Sequence, residues 1–147
     1  MNKGSGCDDD YYDAAERHRR DAELLFKAGR MANADHLYGL AAECLLKAFW
    51  EKHFPVYFAQ NKQKHCAQGK QKRKFPHMDK NKLWDAFKFF MDGRIETMLP
   101  QYFLEDCPYN DWHISQRYCT EGVIMPERVE VHRKWTIRAF NMLIEHC

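Results

Sequence analysis

Two runs of small and apolar residues at three- and four-residue steps, separated only by Gly29-Arg30, constrain this chain more than any other feature. In the first run Tyr11, Ala15, His18, Ala22, Leu25 and Phe26 recur along one helical face. Asp8, Asp9 and Asp10 precede it, at the end where the helix dipole favours negative charge. In the second run Ala34, Leu37, Ala41, Cys44, Leu45, Ala48 and Phe49 form a stripe from about Met31 to about His53, before Pro55. So short a break makes consecutive helices antiparallel neighbours, and the spacing predicts a hairpin with facing apolar stripes.

The stretch that follows changes character. Lys62, Lys64, Lys70, Lys72, Arg73 and Lys74 occur there without an acidic residue or an aliphatic repeat, which predicts a basic loop at about 61–76. Lys70, Lys72, Arg73 and Lys74 are its candidate phosphate contacts, and a solvated connection is the alternative reading. Leu83, Trp84, Phe87, Phe90 and Met91 mark a third helix, with a kink or a new short helix expected near Gly93. From Gln101 to Met125 the pattern is aromatic and aperiodic, an irregular connection with Trp112 and Tyr118 as its expected anchors. Pro126 suits a first helical position, and Val129, Trp135, Ala139, Phe140, Leu143 and Ile144 carry a helix almost to the last residue. No strand alternation competes with this pattern. The sequence predicts an all-α antiparallel bundle of four to five helices, a single domain over 1–147.

Composition narrows the function classes. A formal charge of +2 gives little bulk attraction to nucleic acid, so any such contact depends on local clusters. No apolar run approaches the roughly 20 residues of a membrane span, and Met1 to Gly6 is too short and polar for a secretory signal; no membrane role and a cytoplasmic location are expected. Cys7, Cys44, Cys66, Cys107, Cys119 and Cys147 are scattered, without a CxxC pair, and read as reduced thiols rather than a disulfide framework. No metal site and no cofactor is expected, since no Gly-rich phosphate loop or carboxylate cluster is present.

The phrase Asp21-Ala22-Glu23-Leu24-Leu25 through Gly29-Arg30, then Ala34-Asp35-His36-Leu37-Tyr38-Gly39-Leu40-Ala41-Ala42-Glu43-Cys44-Leu45-Leu46-Lys47-Ala48, resembles the first helical hairpin of the HEPN superfamily. The later segment around His77-Met78 and Leu83-Trp84, with a last helix containing Arg and His, is similar in order to the rest of that family. The resemblance implies an RNA-cleaving or nucleotide-associated bundle. It also implies a homodimer, with RNA and an antitoxin or nucleotidyltransferase as further partners, and no metal in the reaction.

Active members resemble one another in an Arg and a His on a late helix. The imidazole moves the proton of an attacking RNA 2′-hydroxyl, and the guanidinium stabilises charge on the phosphoryl oxygens. Arg128 and His132 stand in that place here, on one helical face but closer together than the family's usual spacing. Arg30 and His36 are separated more widely but straddle the first turn, where the family does not keep its pair. Glu43 and Lys47 are supporting candidates: a helix-stabilising pair, or a partly buried carboxylate that holds a base or an arginine. The expected function is a HEPN-like, metal-independent endoribonuclease of toxin or host-defence type. The alternative is a catalytically inactive helical module for dimerisation and for protein or nucleic-acid binding.

Overall fold

The structure is a computed structural model that describes residues 9–60, 77–91 and 107–144. Every regular element among these residues is helical. The basic loop with Lys70, Lys72, Arg73 and Lys74, and the break expected near Gly93, lie outside the described residues.

The hairpin forms as its sequence dictates. Helix α1 spans Tyr11–Lys27, and its N-cap Asp10 accepts a hydrogen bond from the Asp13 amide at 2.9 Å. Gly29 ends it in the left-handed conformation (φ 75°), which a side chain would strain. The Arg30 amide bonds the Leu25 carbonyl and the Gly29 amide bonds the Phe26 carbonyl, a Schellman turn that satisfies two orphan carbonyls. Helix α2 then runs Met31–His53 and packs along α1. After Phe54 the chain resumes as a helical segment, 55–60, in which Pro55 opens the new helix instead of closing the old one.

Helix α3 spans Lys82–Met91 and helix α4 spans Pro126–Leu143, with Pro126 in its first turn. Both pack on α2, which is therefore the central element. Its buried residues include Ala34, Tyr38, Ala41, Ala42, Leu45, Leu46 and Phe49, and the small ones let neighbouring helices approach closely. Aromatic rings fill the wider end: Trp84 lies edge-on to Trp135, Phe49 to Phe87, and Tyr57 stacks on Phe90.

The connection into α4 is irregular yet ordered. Of its short 3-10 turns, Ile114–Tyr118 packs against α2 and Tyr109–Asp111 against the turn at Asp79–Asn81. Trp112 anchors it, fully buried with its indole N–H donating to the Asp35 carbonyl at 3.0 Å. Tyr118 does not share that role. It is 77% exposed, and Tyr109 is the second buried ring, bonded through its hydroxyl to Thr136 Oγ1 at 2.6 Å. The buried ring is the one that can satisfy its hydroxyl inside the core, whereas Tyr118 lies at the surface beneath the Arg117 guanidinium.

Candidate functional site

Three elements converge on Arg128 and His132. The first is α2, which carries Asp35 on its buried stripe, seven residues before Ala42 and fourteen before Phe49. The second is α4, whose buried face runs Val129, His132, Thr136, Ala139 and Leu143. The third is the turn at Tyr109–Asp111, held to α4 by the Tyr109–Thr136 hydrogen bond.

His132 is only 1% exposed, and both of its ring nitrogens are occupied. Nδ1 lies 2.5 Å from Asp35 Oδ1, while Nε2 lies 2.8 Å from Asp111 Oδ1 and 3.2 Å from the Pro108 carbonyl. Its ring stacks on Tyr109 at 4.5 Å between centroids. Burial alone would push the imidazole's pKa down, but the Asp35 hydrogen bond and the charges of Asp35 and Asp111 more than offset it and hold the pKa above the ordinary value. When protonated, the imidazolium can donate from both nitrogens to these acceptors.

Asp35 is shared further. Its second carboxylate oxygen accepts from the Gln116 side chain at 2.6 Å, which ties the 3-10 helix Ile114–Tyr118 to the same point. Arg128 closes the network from outside: its guanidinium donates to the Asp111 carbonyl, and its Nε lies 3.3 Å from Asp111 Oδ2, an ion pair without hydrogen-bond geometry. With His132 protonated, formal charges cancel across Asp35, His132, Asp111 and Arg128. The same-face pair read from the sequence is thus brought together on a carboxylate, Asp111, whose side chain is 48% exposed.

His132 lies on α4's buried stripe, and Arg128 pairs with Asp111, while Glu43 is engaged elsewhere. Asp35, Asp111 and Gln116 were not among the residues singled out. A charged residue at the helical period of Ala42 and Phe49 was a usable signal for Asp35, while nothing local marks Asp111 as its counterpart.

Glu43 organises a second cluster. Its Oε1 is 2.9 Å from His77 Nδ1 and accepts the Met78 amide at 3.0 Å; its Oε2 is 3.3 Å from Lys47 Nζ. Burial works to raise the Glu43 pKa, but the His77 hydrogen bond, the Lys47 charge and the Met78 N–H together hold it below the usual carboxylate value. The Glu43 hydrogen bond in turn raises the His77 pKa above that of a free imidazole. The expected role for Glu43 of holding a base or an arginine is filled by a lysine and a histidine. Replacing Glu43 with Gln is expected to bring the His77 pKa down towards the ordinary value, as read by the pH titration of its imidazole resonances; an unmoved pKa would show that Glu43 is not its cause.

Arg30 is the N-cap residue of α2, whereas His36 stacks on Trp112 from within the helix. Burial pushes the Cys44 thiol up to about 11, so it stays protonated and unreactive at neutral pH. Among the described residues no group of three or more His, Cys, Asp or Glu side chains could hold a metal ion, and no helix is long and apolar enough to cross a membrane. No family model, curated protein or solved structure matches this chain.

Proposed function

We propose that this chain is a HEPN-like helical module that acts by binding and is catalytically silent at Arg128 and His132. The observation that carries this reading is the state of His132. A general base needs a ring nitrogen within reach of the proton it takes, and here both nitrogens face carboxylates in a ring that is 1% exposed. Arg128 is likewise spent on Asp111, so the pair offers no free charge to a phosphodiester. Within this reading the bundle works by self-association or by holding a protein or nucleic-acid partner.

One contact favours the rival reading, a metal-independent endoribonuclease. Asp35 is bonded to His132 Nδ1 as an orienting carboxylate is bonded to a catalytic imidazole. Catalysis would then require the half-exposed Asp111 to swing away from Nε2 and from Arg128.

The deciding experiment incubates purified protein with single-stranded and structured RNA in chelator, beside Arg128→Ala and His132→Gln. Intact RNA in every reaction is the expected result. Cleavage by the parent that disappears in both variants, each with an unchanged circular dichroism spectrum, would overturn the binding reading in favour of the nuclease.

A further inference from the structure

Val131, Lys134, Trp135 and Arg138 recur along α4 at the three- and four-residue steps that place side chains on one edge of a helix. Trp135 is 4% exposed and Val131 is 52% exposed, so this edge is where the buried stripe of α4 meets solvent. Pro108 faces it from the connection, and the five residues wall an open cavity of about 180 Å3. The walls are already held in place. Trp84 and Tyr109 meet the Trp135 ring edge-on, at 5.2 and 5.8 Å between centroids, and the Pro108 carbonyl oxygen lies 3.2 Å from His132 Nε2. A cavity with fixed walls needs little further ordering to accept a ligand.

Size and charge narrow what fits there. An apolar cavity of about 150 Å3 is enough to hold benzene, so this space takes one six-membered ring. Pro108, Val131 and Trp135 give that ring apolar walls, and Lys134 and Arg138 bring positive charge to the same cavity. Like charges four residues apart on a helix repel one another, and Trp135, Thr136 and Ile137 between them supply no carboxylate. Arg138 makes no ion pair or hydrogen bond through its side chain among the described residues. Lys134 reaches Glu130 at 3.8 Å, but that carboxylate also serves Arg133 at 3.4 Å. The cavity therefore pairs apolar walls with cations that are short of counter-charge.

We propose that this cavity binds a small aromatic carboxylate, its ring among Pro108, Val131 and Trp135 and its carboxylate facing Arg138 and Lys134. The guanidinium offers a planar pair of donors that matches the two carboxylate oxygens, and the ammonium adds a point charge beside it. Both cations are exposed, so solvent screens their attraction and the buried ring supplies the larger share of the affinity. The charge selects among ligands that share the ring. Neither Arg128 nor His132 lines the cavity, so this site is separate from the role proposed above.

The test titrates phenylacetate into the full chain while the Trp135 indole N–H resonance is followed. Phenethylamine, the same ring carrying a cation, and acetate, the charge without the ring, are titrated beside it. Phenylacetate should shift the resonance to saturation, and the other two should bind at least about tenfold more weakly. Arg138→Gln should weaken phenylacetate binding about threefold to tenfold. Val131→Phe, which puts a ring of the protein's own into the cavity, should abolish it. Both positions are exposed, and an unchanged urea midpoint in each variant shows that the fold is intact. The site is overturned by the absence of a saturable shift, by binding that survives Val131→Phe, by an affinity unchanged in Arg138→Gln, or by phenethylamine or acetate binding as tightly as phenylacetate. RNA cleavage by the parent would overturn the role proposed for Arg128 and His132 and leave this site standing.

Discussion

Asp35→Ala is expected to lower the unfolding free energy by about 3–5 kcal/mol, the cost of breaking a buried ion pair from one side. Two buried donors lose their acceptor at once: His132 Nδ1 and Gln116 Nε2. Neither has water to turn to, since His132 is 1% exposed and Gln116 is 5% exposed. The Trp112 bond to the Asp35 backbone carbonyl survives the substitution, so the loss reports the carboxylate alone.

The same substitution carries a pH signature whose sign is fixed by the direction of the His132 shift. The folded pKa lies above the unfolded one. The stabilisation is therefore fully present below the unfolded value of about 6.5 and is lost as pH rises through the higher folded value. Urea unfolding of the parent across that window should show stability falling as pH rises. In Asp35→Ala the slope should flatten, because Asp35 is the larger of the two carboxylate influences on the ring. A cost below about 1 kcal/mol would mean that the network is not holding the helices together.

How much of this was legible in the sequence follows from which residues act locally. The hairpin was readable because Gly29, the small-residue stripe and the acidic N-terminus all act within one or two turns of chain. Pro126 announced α4 for the same reason. Arg128 and His132 were singled out by family resemblance and face, and they do share a partner, but its identity was hidden: Asp111 lies in an aperiodic connection and meets His132 through tertiary packing. His132 itself was legible as a core residue, three after Val129 and four before Thr136 on the buried face. Chemical expectation for an Arg/His pair outweighed that period. Trp112 was found as an anchor because a large ring in a polar stretch has few other uses, but choosing Tyr118 over Tyr109 needed the buried Thr136 hydroxyl, which no local pattern reveals.

Gly39 sits in the middle of α2, where a glycine costs about 1 kcal/mol relative to alanine, and yet Gly39→Ala is expected to destabilise the protein. A methyl group at that position would overlap the Nε1–Cε2–Cζ2 edge of the Trp112 indole, which is itself fixed by its bond to the Asp35 carbonyl and by the stacked His36 ring. Neither side has room to yield, so overpacking should outweigh the helix-propensity gain and leave a net loss of about 1–3 kcal/mol. Trp112→Val alone should cost about 3–5 kcal/mol through the cavity it opens. With the indole gone, adding Gly39→Ala should become neutral or stabilising by up to about 1 kcal/mol, since only the backbone preference remains. Urea unfolding of the parent, the two single variants and the double variant closes the cycle. The same penalty for Gly39→Ala in both backgrounds would mean that Trp112 is not what the glycine makes room for.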